Sequence, residues 1–105
     1  MFHILVVDDD KNTRMLFKAI LEKVNYTVTL AEGGMEALEI MDKEQIDLVV
    51  LDIMMPGMDG YQLTRALREV NETLPILMVS AKQMPSDKHR GFDAGTDDYM
   101  VKPVE

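Results

Sequence analysis

Reactive side chains stand at the ends of four short apolar runs in this sequence: Asp8 and Asp9, Asp52, Ser80, and Lys102. Three carboxylates brought together repel one another, and the repulsion is costly where water is scarce. With one lysine these charged groups sum to −2, which a divalent cation would neutralise, and carboxylate oxygens are ligands that Mg²⁺ prefers. A carboxylate beside such an ion can attack a phosphoryl group and form an acyl phosphate. The residue types therefore predict phosphoryl transfer to an aspartate, with the metal and the ammonium offsetting charge on the transferred oxygens.

Asp52 is the candidate for the reacting carboxylate. It closes the apolar run Leu48–Leu51, and the sequence Met54-Met55-Pro56-Gly57 then forces a turn before the next helix. Open α/β sheets bind ligands outside the carboxyl ends of their strands, which is where this carboxylate would lie.

A regular alternation of strands and helices would bring the reactive side chains to one edge. Apolar runs rich in β-branched residues predict buried parallel strands. Because parallel strands point the same way, their carboxyl ends meet along one side of the sheet. The predicted strands cover residues 4–7, 26–31, 48–52, 75–80 and 98–101.

Helical periodicity separates these strands. The first predicted helix carries the apolar stripe Leu16, Ala19, Ile20 and Val24, with Asn12 or Thr13 as its cap and Asp10 as a charge near its N-terminus. Two further helices carry the stripes Ala37, Leu38 and Met41, and Leu63, Ala66, Leu67 and Val70, the latter capped by Asp59; a weaker fourth covers residues 85–92. The alternation predicts one α/β domain over residues 1–105, with an open five-stranded parallel sheet and helices on both faces.

Composition sets limits on the function. The chain has 105 residues, of which 47% are hydrophobic and 29% charged, and it contains no cysteine, so a disulfide scaffold is excluded. The net charge of −8 argues against direct binding of nucleic acid, which needs basic residues to neutralise phosphates. The first residues do not have the pattern of a signal peptide, and no apolar run approaches a membrane span. A cytoplasmic protein that does not bind membranes is the expectation.

The motifs VVDDD, LDIMMPGMDG, VSA and YMVKP follow one another along the chain and resemble those of the receiver domain of two-component response regulators. The resemblance covers the whole chain, and the separated motifs agree in type and spacing. It implies a flavodoxin-like, CheY-like sheet of strand order 2-1-3-4-5. It also implies that Asp52 accepts a phosphoryl group from a histidine kinase, while Asp8 and Asp9 hold Mg²⁺ together with Asp52 and the backbone carbonyl of Met54.

The same resemblance assigns roles at the last two strands. It makes Ser80 the hydroxyl and Tyr99 the aromatic side chain of the switch, and it makes Lys102 the lysine that contacts the phosphoryl group, before a cis peptide bond at Pro103. Phosphorylation would then reshape a surface for an output domain or partner protein, a second copy of the chain being one candidate. The resemblance extends to receivers that control transcription, although the chain itself is not expected to bind DNA.

The family's domain continues into a fifth helix after the lysine-proline motif, whereas this sequence ends at Glu105. We therefore expect a receiver domain truncated after the fifth strand, with apolar sheet left exposed on one face. Any output domain would lie beyond Glu105.

Two other functions fit part of the pattern. A Mg²⁺-dependent phosphohydrolase of the haloacid-dehalogenase type also uses an aspartyl nucleophile at a strand end, a hydroxyl and a lysine. Residues 8–10 offer its D-x-D, but no acidic pair follows Lys102 and the chain has no room for a cap domain. A receiver-like domain used only for protein binding is a third reading, which the complete acidic set disfavours.

Overall fold

The computed structural model describes residues 1–80 and 98–101 of the chain. Strands and helices alternate in the order β1 (His3–Val7), α1 (Lys11–Lys23), β2 (Thr27–Ala31), α2 (Gly34–Lys43), β3 (Leu48–Asp52), α3 (Gly60–Val70), β4 (Ile76–Ser80) and β5 (Asp98–Val101). The helix predicted at residues 85–92 lies outside the described residues. Within the part of the chain that the structure describes, no helix is long and apolar enough to cross a membrane.

The five strands form one parallel sheet of order β2-β1-β3-β4-β5, which confirms the predicted architecture. In the register, Val7 lies opposite Ala31 on β2 and Leu51 on β3, and Asp52 lies opposite Val79 on β4. The carboxyl ends of β1, β2, β3 and β4 therefore meet along one edge. The residues that follow each of these strands therefore lie at this edge.

Alternate strand residues face opposite sides of the sheet and build two apolar clusters. Leu5, Val49 and Ile76 belong to the larger cluster, together with Ala37 of α2 and Leu63 and Leu67 of α3. Ile4, Val6, Val50 and Val79 form the smaller cluster on the other side, where Phe17 and Leu21 of α1 pack. Helices therefore cover both faces, with α2 and α3 on one side and α1 on the other.

The details of α1 differ from the prediction in two ways. Phe17 and Leu21 pack on the sheet, whereas Ile20 is 48% exposed and Val24, which ends the helix, is 58% exposed. The predicted stripe was wrong because apolar residues occupy both sides of this helix, so that periodicity alone does not select the inner one. The cap was also misplaced, since Asp10 occupies the N-cap position.

The smaller cluster bears on the expectation of an exposed sheet face. Val50 and Val79 are buried, whereas Leu48 and Leu77 are only partly buried against the same cluster. On β3 and β4 the apolar residues of this side are therefore covered in part, and the expectation for the whole face stays a prediction.

Asp59 caps α3 as predicted and completes a capping box. Its Oδ1 accepts a hydrogen bond of 2.9 Å from the backbone N–H of Gln62, and the Oε1 of Gln62 accepts one of 2.9 Å from the backbone N–H of Asp59. Two N–H groups at the helix N-terminus are thereby satisfied by side chains. The box fixes the point at which the chain leaves the turn after β3 and enters α3.

The capping box predicts a difference between two substitutions of Asp59. Asp59→Ala removes the acceptor and should lower the free energy of unfolding by about 1 kcal/mol, whereas Asp59→Asn keeps a good N-cap and should cost much less. Urea denaturation of the two variants beside the wild type measures both values. Equal stability of the alanine and asparagine variants would contradict this role of the side chain.

Candidate functional site

Three carboxylates meet at the carboxyl edge of the sheet. Asp8 and Asp9 follow β1, and Asp52 is the last residue of β3, the neighbouring strand. Each side chain offers an oxygen that lies within 4.8 Å of those of the other two. Asp8 is 2% exposed and Asp52 is 4% exposed, whereas Asp9 is open to solvent. The structure therefore brings together the three acids that the sequence assigned to one site.

The turn between β1 and α1 holds the first two acids in place. The backbone N–H of Asp8 donates to the carbonyl of Ala31 at 3.1 Å, which continues the ladder between β1 and β2 for one residue. The Oδ1 of Asp8 accepts a hydrogen bond of 2.9 Å from the backbone N–H of Asp10. Asp10 in turn caps α1, because its Oδ2 accepts from the N–H and the hydroxyl of Thr13. Asp10 therefore shapes the turn, and the cluster itself consists of Asp8, Asp9 and Asp52.

Asp52 is held by the close approach of α3 to the end of β3. The N–H of Gly60 donates to the carbonyl of Ile53 at 2.8 Å, and Gly60 is buried. A methyl group added at Gly60 would overlap the carbonyl oxygen of Asp52 and lie 2.8 Å from the Cα of Ile53. Both neighbours are backbone atoms, which cannot move aside without displacing the strand. Glycine is therefore required where the helix begins against the acidic site.

The geometry suits a divalent cation with oxygen ligands. Two unit charges at the limiting separation of 4.8 Å would repel by roughly 3 kcal/mol at an effective dielectric constant of about 20, before other groups are counted. A cation between them would turn this repulsion into attraction. Buried and exposed carboxylates converging from two strands, with one side open to water, are the donor set that Mg²⁺ takes while keeping water ligands.

The remaining predicted site residues stand as follows. Ser80 is the last residue of β4 and lies one position beyond Val79, the register partner of Asp52. Tyr99 lies on β5 opposite Met78 of β4. Met54 follows β3 in the turn, and its side chain is 69% exposed. Lys102 and Pro103 lie outside the described residues, and so do the contacts that the sequence analysis expected of them.

Arg14, a basic residue beside the acidic site, was not predicted from the sequence. Its Nη1 donates a buried hydrogen bond of 2.7 Å to the backbone carbonyl of Asp8. The spacing becomes informative once the packed side of α1 is known, because Arg14 lies three residues before Phe17 and seven before Leu21, on that same side. A charged residue in line with a packed apolar stripe indicates a buried polar contact.

The comparisons with known proteins agree with this fold. The family model of the response regulator receiver domain matches residues 4–105, and the chain therefore belongs to that family. Its members are regulatory domains rather than classical enzymes. The family match favours the reading as a signalling domain over the phosphohydrolase alternative.

Two curated relatives are similar along nearly the whole chain. The response regulator MprA of Mycobacterium ulcerans is 46% identical over 100 residues, which are 95% of this chain and 43% of that protein. The transcriptional regulatory protein ResD of Bacillus subtilis is 47% identical over 100 residues, which are 95% of this chain and 41% of that protein. The chain thus spans less than half the length of these relatives.

Two solved structures have the same fold. The chemotaxis protein CheY4 of Vibrio cholerae superposes with a TM-score of 0.94 at 32% identity, over 100% of this chain and 89% of that one. The response regulator TrrA of Thermotoga maritima, solved in complex with Mg²⁺ and beryllofluoride, gives a TM-score of 0.90 at 35% identity, over 100% of this chain and 90% of that one. The CheY-like fold is therefore established.

The contact of Gly60 with β3 predicts a large effect of a small change. Gly60→Ala should lower the free energy of unfolding by about 1–3 kcal/mol, because the new methyl group has no space against the backbone of Asp52 and Ile53. Gly33→Ala is the comparison, since nothing lies within 4 Å of a methyl group at that position; Gly33 is the N-cap of α2, so this variant should lose only the difference between a glycine and an alanine cap. Chemical denaturation measures both. If Gly60→Ala is no less stable than Gly33→Ala, the close approach does not limit the residue at this position.

Proposed function

We propose that this chain is a phosphorylation-dependent switch that accepts a phosphoryl group on Asp52 from a histidine kinase. The observation that carries the proposal is the convergence of Asp52 with Asp8 and Asp9 at one edge of the sheet, in a chain of the receiver family. On this proposal residues 1–105 act as one receiver domain. Its location in the cytoplasm rests on family membership and is part of the proposal.

The reaction follows from the position of Asp52. One carboxylate oxygen attacks the phosphorus of a phosphohistidine, the bond between phosphorus and the imidazole nitrogen breaks, and the imidazole leaves. The product is an acyl phosphate on Asp52. Because Asp52 is buried, few water molecules solvate its carboxylate, and its oxygen is available for attack. Ser80 and Lys102 are proposed to bind the oxygens of the transferred group.

The acidic cluster would hold Mg²⁺ through Asp8, Asp9 and Asp52, with the backbone carbonyl of Met54 as a further oxygen ligand. The metal would offset the negative charge that develops on the transferred oxygens. The Mg²⁺ and beryllofluoride complex of the similar protein TrrA supports this choice of metal.

The signal would pass along the neighbouring strands. Ser80 follows the register partner of Asp52 on β4, and Tyr99 lies on the strand that pairs with β4. We propose that the hydroxyl moves toward the phosphoryl group and the aromatic ring turns inward, so that the two states present different surfaces. A ligand shifts such an equilibrium only by its different contacts with the two states. The partner would be an output domain or a second copy of the chain, in regulation of transcription as the name of ResD suggests.

Formation of a phosphorylated adduct tests the proposal directly. Incubation with Mg²⁺ and acetyl phosphate should add one phosphoryl group to the wild type, and beryllofluoride with Mg²⁺ should form a one-to-one complex. Asp52→Asn should abolish both, whereas Asp59→Asn, which changes an acid that caps α3, should not. Intact mass and calorimetric titration give the two stoichiometries. Sustained turnover of phosphate esters, or an adduct that survives Asp52→Asn, would overturn the proposal.

The repulsion in the cluster predicts opposite effects of Asp8→Asn with and without metal. The amide oxygen can still accept from the N–H of Asp10, but one negative charge is lost. Affinity for Mg²⁺ should fall about tenfold or more, because binding depends on the number of charged ligands. The melting temperature in EDTA should rise, because like charges no longer meet in a buried place.

Asp10→Asn is the control for this pair of measurements, since asparagine also caps a helix and Asp10 is not part of the cluster. It should leave the affinity for Mg²⁺ close to that of the wild type. An Asp8→Asn variant that binds Mg²⁺ as tightly as the wild type would remove Asp8 from the set of ligands.

A further inference from the structure

Arg14 carries its charge on the side of α1 that packs against the sheet. Only 9% of the residue is exposed, and its helical neighbours on that side, Phe17 and Leu21, pack on the smaller apolar cluster. An arginine is seldom buried to this extent unless it has partners, because its guanidinium loses water on burial. The partners that Arg14 uses therefore indicate what the residue does.

The guanidinium bridges the ends of β1 and β2. Nη1 donates to the backbone carbonyl of Asp8 at 2.7 Å, and Nη2 lies 3.6 Å from Oε1 of Glu32, the residue after β2. The side chain of Glu32 is 77% exposed, so solvent weakens that ion pair. The bond to Asp8 is shorter and buried, which makes it the stronger of the two.

The carbonyl of Asp8 belongs to the peptide unit that joins Asp8 to Asp9. This unit is planar, so holding its oxygen fixes the orientation of the plane between the two residues. The directions in which both carboxylates leave the main chain depend on that plane. The side chain of Arg14 thus influences the orientation of two members of the acidic cluster, Asp8 and Asp9.

We propose that Arg14 is a positioning residue for the acidic site, which sets its affinity for a divalent cation through the Asp8 carbonyl. The inference rests on the proposed function, in which Asp8 and Asp9 hold the cation. Arg14 itself does not touch the metal or the phosphoryl group. Its effect is to keep the carboxylates of Asp8 and Asp9 pointing toward Asp52.

The sign of the effect separates this role from simple electrostatics. If Arg14 acted only through its positive charge, its removal would strengthen cation binding at the nearby carboxylates. If Arg14 positions the carboxylates, its removal weakens cation binding despite the loss of a positive charge. A purely structural role would lower the stability of the fold and leave the affinity of the folded protein unchanged.

Calorimetric titration with MgCl₂ tests the proposal on the wild type, Arg14→Met, Arg14→Lys and Arg65→Met. Arg14→Met should bind about tenfold more weakly, the usual range for groups that orient metal ligands. Arg14→Lys should remain within about threefold of the wild type, because an ammonium can also donate to the carbonyl of Asp8. Arg65→Met is the matched control, since Arg65 is an exposed residue of α3, and it should bind as the wild type does.

An affinity of Arg14→Met equal to or above that of the wild type overturns the proposal, as does a lysine variant as weak as the methionine variant. If Arg14→Met does not fold without metal, the MgCl₂ concentration that restores its circular dichroism reports the affinity through linkage. A midpoint that implies wild-type affinity then counts against the proposal. A wild type that binds Mg²⁺ but takes no phosphoryl group contradicts the proposed function alone. Normal phosphorylation with an Arg14-independent affinity contradicts the positioning role alone.

Discussion

The meeting of three carboxylates at one edge of the sheet is the constraint on which the rest of the site depends. Asp8 and Asp52 are buried, and their like charges oppose the fold that brings them together. The apolar faces of β1 and β3 provide the opposing free energy, because these strands lie side by side between two packed clusters. The packed core therefore helps to hold the acidic edge together against this repulsion.

The turns that follow β1 and β3 also hold Asp8 and Asp52 in place. α3 begins directly against the backbone of Asp52, which only the missing side chain of Gly60 permits. On the other strand, Asp10 ties the N-terminus of α1 to the turn that carries Asp8, and Arg14 reaches back to the same turn from one helical turn further on. Asp8 and Asp52 thus each lie close to a helix N-terminus that is anchored to the end of the same strand.

The sequence was sufficient for the parts of this structure that depend on repeated patterns. Leu48–Asp52 has the predicted bounds, because an apolar run between turn residues defines a buried strand. Asp98–Val101 also has the predicted bounds. The packed side of α1 could not be read in the same way, since Ile20 and Phe17 are both apolar and only the tertiary contacts choose between them. The contact of Arg14 was missed for a related reason: its partner is a backbone carbonyl, which has no signature in the sequence.

Repulsion within the cluster and affinity for a cation both depend on how close the carboxylates lie. Holding Asp8 close to Asp52 destabilises the metal-free fold, whereas a positive ion between them is attracted to both, and its binding stabilises the folded state according to its concentration and affinity. A cluster with less repulsion would make the metal-free fold more stable but would bind the cation more weakly, which is the usual conflict between stability and function. On the proposed function, transfer of a phosphoryl group adds negative charge to this same edge. The favoured state of the switch is then the one whose side chains interact better with the phosphoryl group.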